Sequence, residues 1–207
     1  MDFDRLHTVE DIQYSINRKD VYSLLGYKKE KTKLPQKMFD HVELAFEEAE
    51  KLIGAKGVFI IRRIKEKGNP ISLHGSQTVF KSHSAGNLLK NSFAVIFMAV
   101  TIGSGLENLA SRYTKEKQFE KALVLDTIGS EAAEASANAL NSYLLTIARQ
   151  AKHTLTRRFS PGYGDMPLPF QKDMYRELAL DRLSLVLDKK NILFPRKTVT
   201  AIIGVEK

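Results

Sequence analysis

Between Leu125 and Ile147 the chain places Leu125, Ile128, Ala132, Ala135, Ala139, Tyr143 and Ile147 three or four positions apart. A stripe of that period and length dictates one long helix with a buried face, and the rest of the fold must be arranged around it. A polar stripe of Thr127, Ser130, Glu134, Asn138 and Asn141 runs beside it. Gly129 and the many Ala and Ser residues keep the helix surface low, so another element can approach closely.

Other stretches change period. Gly57 to Ile61 is a short apolar run that reads as a buried strand, Lys67-Gly68-Asn69-Pro70 as a turn, and Ile71 to Phe80 as a returning strand. Ser92 to Thr101 is β-branched and aromatic without alternation, which predicts a strand buried on both faces. Earlier, Val9, Ile12, Ile16, Val21 and Leu24-Leu25 predict one or two short helices ending near Gly26. Pro35 opens a helix carrying Met38, Val42, Ala45, Phe46, Ala49 and Leu52-Ile53, and Gly54 ends it. After a Pro- and Gly-rich loop, Arg158 to Pro169, a helix is predicted from about Phe170 to Leu180. Two apolar pieces follow, Leu185 to Leu187 and Ile192 to Phe194, and Thr198 to Val205 closes as a strand. Together these elements predict an α+β fold, with long helices packed on an antiparallel β-sheet.

The 207 residues, 43% hydrophobic, suit one domain or two halves sharing a core. There is no cysteine, which excludes disulfides, thiolate metal sites, iron–sulfur ligation and cysteine nucleophiles. The longest apolar run, Phe93 to Val100, falls far short of the roughly 20 residues that span a bilayer. Met1-Asp2-Phe3-Asp4-Arg5 lacks the basic start of a secretory signal, so a cytoplasmic protein with no membrane partner is expected. The net charge of +8 fits either an acidic partner (nucleic acid, an anionic ligand or an acidic protein) or simply a soluble basic protein. The densest basic run, Lys28-Lys29-Glu30-Lys31-Thr32-Lys33, reads as a solvated loop.

The segment richest in chemistry is Arg158-Phe159-Ser160-Pro161-Gly162-Tyr163. Pro161 biases Ser160 toward an extended backbone, and Gly162 allows angles other residues avoid. An Arg at one end of such a turn can clamp a carboxylate with two parallel hydrogen bonds. A Tyr at the other can stack on a purine or lie against a sulfonium cation. An ordinary surface loop with a Pro-Gly turn uses the same residues.

Arg-x-x-x-Gly-Tyr with Pro before the Gly resembles the signature of the S-adenosylmethionine-binding activation domain of cobalamin-dependent methionine synthase. The likeness extends to the closing segment Phe194-Pro195-Arg196-Lys197-Thr198-Val199, with Gly204 beyond it, to Thr101-Ile102-Gly103, and to Leu125 to Ser130 with Glu134. It is clear over residues 90 to 207 and weaker over 1 to 85. It implies a single activation-domain-like domain over 1–207.

The resemblance implies a role in trans on a separate cobalamin-dependent methionine synthase. S-adenosylmethionine would be presented to cobalamin carried by that partner, and a flavodoxin-like or other acidic donor would supply an electron. Reductive methylation would then return inactive cob(II)alamin to methylcobalamin. The chain would be a component of a methyltransferase system in methionine biosynthesis, with no catalytic residue of its own. By the same resemblance Arg158 would hold the ligand carboxylate, the Phe159 backbone would hydrogen-bond the ligand, and Gly162 and Tyr163 would complete the loop. Glu134 would meet the ammonium or sulfonium, or else be a solvated helix carboxylate. The family's N-terminal acidic contact has only Asp2, Asp4 and Asp11 as candidates here. Alternatives are a reactivator of another corrinoid methyltransferase, a relative without methyl-donor binding, and a basic nucleic-acid-binding protein. No helix-turn-helix or RNP-like motif supports the last.

Other constellations carry less. Gly103-Ser104-Gly105 reads as a tight turn rather than an anion site, for a dinucleotide fingerprint needs a third Gly. His74 and His83 lack further ligands at metal spacing, and His153 reads as a helix-end His. Asp165 and Asp173 read as a loop and a helix residue.

Overall fold

A computed structural model describes residues 1–27 and 35–207, so the basic run Lys28 to Lys33 lies outside the described residues. The first elements are β1 (His7–Val9), α1 (Arg18–Leu24), α2 (Gln36–Leu52), β2 (Lys56–Glu66), β3 (Ile71–Leu73), β4 (Val79–Phe80) and α3 (His83–Leu88). Next come β5 (Ala94–Thr101), α4 (Gly105–Lys115), α5 (Phe119–Gln150) and β6 (Thr154–Leu155). The chain ends with α6 (Gln171–Glu177), β7 (Val186–Leu187), β8 (Leu193–Phe194) and β9 (Thr198–Glu206).

The main sheet runs β4-β3-β2-β5-β9-β6 and every pairing in it is antiparallel. The long strand β2 serves two partners along one edge. Its first half pairs with β1 and its end, from Ile64 to Glu66, with β3, while β5 occupies the other edge. Strands β7 and β8 form a separate hairpin.

All eight residues of β5 are buried, because both sheet faces are covered. Ala94, Ile96, Met98 and Val100 meet α5 through Ala133, Ala137, Leu140 and Leu144. Val95, Phe97 and Ala99 face Phe80, Leu89, Phe159, Met166, Phe170 and Met174. A third cluster joins α1, α2 and α4 to the first half of α5 through Val42, Phe46, Leu106, Leu125 and Ile128. The long helix therefore does two jobs. Its first half packs on helices and its second half on the sheet.

Two expectations are corrected. The buried seam of α5 is Ala122, Leu125, Gly129, Ala133, Ser136, Leu140, Leu144 and Ala148, with Val124, Ile128, Ala132 and Ala137 beside it. The apolar stripe extrapolated to Tyr143 fails there, since Tyr143 is 51% exposed. Against the sheet the helix presents Ala132, Ala133 and Ala137 together with Leu140 and Leu144, while the larger Tyr143 stays half-exposed. The return from Ile71 to Phe80 is not one strand either. Ser76 and Thr78 donate hydroxyl hydrogen bonds to the Glu177 carboxylate, which draws the chain out of the ladder and leaves two short strands.

Among the described residues no helix is long and apolar enough to cross a membrane.

Candidate functional site

After α5 the chain runs back along the free edge of β9. Thr154 pairs with Glu206, Leu155 with Val205, and the Thr156 N–H donates to the Gly204 carbonyl at 3.0 Å. Continuing that register would set Phe159 opposite Ala201. Phe159 instead bridges Ile202, with both ladder bonds made, at 3.0 and 2.8 Å. One extra residue is therefore held between Thr156 and Phe159, as in a β-bulge. A slip of one residue exchanges the two faces of a strand. Leu155 packs on the α5 side and Phe159 on the opposite side, so Arg158 is turned back toward α5.

The Thr156 hydroxyl accepts from the Gly204 N–H at 2.8 Å and replaces a ladder bond at this point. Gly204 has no room for a side chain. A Cβ there would run into the buried Ser92 hydroxyl and stand 3.0 Å from the Thr156 methyl.

Arg158 donates through Nη2 to Asn138 Oδ1 at 2.8 Å and to Glu134 Oε1. Glu134 and Asn138 lie one turn apart on α5, so one helix face presents both acceptors. The Arg158 side chain is 19% exposed, against 52% for Glu134. Its Nη1 is buried and, among the described residues, has no hydrogen-bond partner. A cationic donor without a partner is costly in a protein interior, which makes this nitrogen the most informative atom of the site.

Beyond Phe159 the chain folds into back-to-back turns. The Tyr163 N–H donates to the Ser160 carbonyl at 3.3 Å, the Met166 N–H to the Tyr163 carbonyl at 3.1 Å, and the Gly162 N–H to the Met166 carbonyl at 2.8 Å. Gly162 (φ 92°) and Gly164 (φ 56°) occupy the left-handed region that favours glycine. Met166, almost fully buried, anchors the turn in the core and leaves Tyr163 69% exposed at its tip.

A cavity of about 480 Å³ opens here, lined by Ser84, Glu134, Arg158, Ser160, Tyr163 and Gly164, with Arg157, Phe159 and Val199 completing it. Four of the five residues expected from the sequence line it: Arg158, Phe159, Tyr163 and Glu134. Gly162 does not, and sets the turn instead. The Phe159 N–H and carbonyl are both engaged by Ile202, which leaves only a second lone pair on the carbonyl to accept a further bond.

Sequence reasoning missed Asn138 as a partner of Arg158, and it missed Ser84 and Gly164 as walls. It also undervalued Asp165. That carboxylate accepts from the Ser82 hydroxyl at 2.6 Å, from the Ser84 N–H at 3.0 Å and from the His83 N–H at 2.6 Å. The Ser82 hydroxyl foremost, then Ser84 and His83, hold the carboxyl well below the usual carboxylate range. Asp165 thus ties the signature loop to the start of α3, where Ser84 forms the facing wall. The available sequence signal was Ser82 ahead of His83 to Leu88, a helix cap awaiting a partner.

The remaining candidates fall elsewhere. Gly105 begins α4 where a Cβ would stand 2.6 Å from the Leu52 carbonyl oxygen, so the Gly103-Ser104-Gly105 turn is a packing contact. Asp4 pairs with Arg62 at 3.0 Å, and neither it nor Asp2 nor Asp11 lines the cavity. His153 follows α5 and packs on the Phe93 ring. Among the described residues no three His, Cys, Asp or Glu side chains gather to hold a metal ion.

Fold and cavity together define a class: an antiparallel sheet backed by a long helix, with a cavity between that helix and a Pro-Gly loop on the sheet edge. Among solved structures the chain is similar to a crystal structure of the MetH reactivation domain bound to AdoHcy, with a TM-score of 0.68 over 97% of this chain and 78% of that one. Identity is 14%, so the likeness establishes the reactivation-domain fold. No family profile and no curated protein matches the chain.

Proposed function

We propose that the protein, acting over residues 1–207 as one activation-domain-like unit, binds S-adenosylmethionine in the Arg158 cavity. In this reading it serves in trans as a reactivation subunit of a cobalamin-dependent methionine synthase. The observation that carries the reading is the buried Nη1 of Arg158, without a partner among the described residues, beside a cavity built from the signature loop, within the fold of a domain solved with AdoHcy.

The residues present fit such a ligand. The guanidinium of Arg158 receives a carboxylate. Glu134, half-exposed on α5, stands beside it for a cationic group. Tyr163 at the rim offers its ring to a purine or to a sulfonium. The Phe159 carbonyl and Ser160 supply polar contacts along the wall. Bound S-adenosylmethionine would supply an electrophilic methyl group, and the chain's own part is to bind and orient it. The cobalamin belongs to the partner, and the net charge of +8 suits an acidic electron donor such as a flavodoxin.

Calorimetric titration of S-adenosylmethionine and of AdoHcy into the wild type and into Arg158→Ala tests the reading. Saturable binding that the substitution weakens at least about tenfold supports it, as expected from losing a charge-assisted pair. Binding untouched by the substitution, or no binding with and without a cobalamin-loaded synthase, overturns it.

A further inference from the structure

The cavity's cation already has an anion. Glu134 Oε1 and Asn138 Oδ1 both accept from Arg158 Nη2, and among the described residues the buried Nη1 has no partner. Two of the guanidinium's five N–H donors are thus engaged, both by side chains of α5, and the Arg158 side chain is largely buried. A carboxylate that seeks both nitrogens, the geometry in which Arg binds carboxylates best, meets Glu134 in one of the two positions. We infer that Glu134 is an internal competitor for the Arg158 guanidinium, and that this competition makes the cavity selective for ligands carrying a cation close to their carboxylate.

The argument is electrostatic. A ligand carboxylate that displaces Glu134 leaves two carboxylates beside one guanidinium, and like charges at that range oppose each other. A half-exposed Glu134 can swing into water, but it stays on the same turn of α5, near the incoming anion. A ligand with an ammonium beside its carboxylate resolves the conflict. Arg158 takes the carboxylate, Glu134 takes the ammonium, and one ion pair is exchanged for two. A ligand with the carboxylate alone gains one pair and loses another. Asn138 keeps Arg158 in place through the exchange, since its amide oxygen adds no charge.

This rests on the proposed ligand site and adds a selection rule to it. The test uses AdoHcy, whose only cation is its ammonium, and the same thioether without the amino group. Both are titrated into the wild type, Glu134→Gln and Asn138→Asp. The wild type is expected to prefer AdoHcy at least about tenfold. Glu134→Gln is expected to bind the des-amino compound several-fold more tightly than the wild type does, so that the preference collapses. Asn138→Asp adds a second competitor and is expected to weaken the des-amino compound further. If the des-amino compound binds the wild type and Glu134→Gln equally, Glu134 is no competitor, and the inference falls while the ligand site stands. If Arg158→Ala binds AdoHcy as well as the wild type does, the site itself is wrong and the inference falls with it.

Discussion

Phe159 lies opposite Ile202, one residue past the partner that the β6–β9 register would assign it. That offset aims Arg158. With regular pairing the Arg158 side chain would leave on the opposite sheet face, away from Glu134 and Asn138.

The bulge depends on Thr156, whose hydroxyl accepts from the Gly204 N–H. Thr156→Val keeps the shape and removes the acceptor. It is expected to lose about 1–2 kcal/mol in urea denaturation, the cost of leaving a backbone donor unpaired. Because Arg158 is aimed by the same bulge, AdoHcy affinity should fall as well. Unchanged affinity would mean the loop holds its shape without this bond.

Gly204→Ala forces a methyl against Ser92 and Thr156. Overpacking of this kind costs about 1–3 kcal/mol. Thermal unfolding should show the loss, and adding Ser92→Gly should recover part of it. No recovery in the double variant would locate the strain elsewhere.

Asp165 offers a dependence on pH. Its carboxyl is held below its ordinary value in the folded chain, so it contributes stability that is fully present above the unfolded carboxyl pKa of about 3.9. The contribution fades as pH falls through the folded value. The stability difference between wild type and Asp165→Asn should therefore be flat from about pH 5 to 8 and shrink below about pH 4. Urea midpoints across that range check it; a gap that widens on acidification would reverse the sign. AdoHcy affinity should drop at neutral pH, since the Ser84 wall loses its tie to the loop.

Glu177 is the buried counterpart. Its side chain, 5% exposed, takes Arg62 Nε at 3.1 Å and the hydroxyls of Ser76 and Thr78. Glu177→Ala leaves the Arg62 Nε and two hydroxyls without their acceptor, while Asp4 still pairs with the Arg62 Nη1. A loss of about 3–5 kcal/mol is expected from breaking one side of a buried ion pair. Ligand affinity measured well below the unfolding transition should stay within about twofold, because Glu177 lies outside the cavity.

Much of this was legible from residue order. The apolar run Ser92 to Thr101 announced β5, Met38 to Ala49 announced the buried face of α2, and the Pro-Gly segment located the cavity. Local periodicity suffices where one face is plainly apolar. It failed along α5, where Ala and Ser occupy every side of the helix and hydropathy barely distinguishes them. It failed between Ile71 and Phe80 because the competing acceptor, Glu177, is about a hundred residues away in sequence.

By itself the sequence determined most of the elements, their mixed α+β character, and the Pro-Gly segment whose Arg158 and Tyr163 line the cavity. Those follow from side-chain period and from the backbone limits of Pro and Gly, which act over a few residues. It did not determine where Arg158 points or what it meets. That depends on a one-residue shift against β9, on two α5 acceptors, and on a carboxylate tying the loop to α3. Each is a pairing between distant segments, and only packing of the whole chain brings such groups within hydrogen-bonding distance.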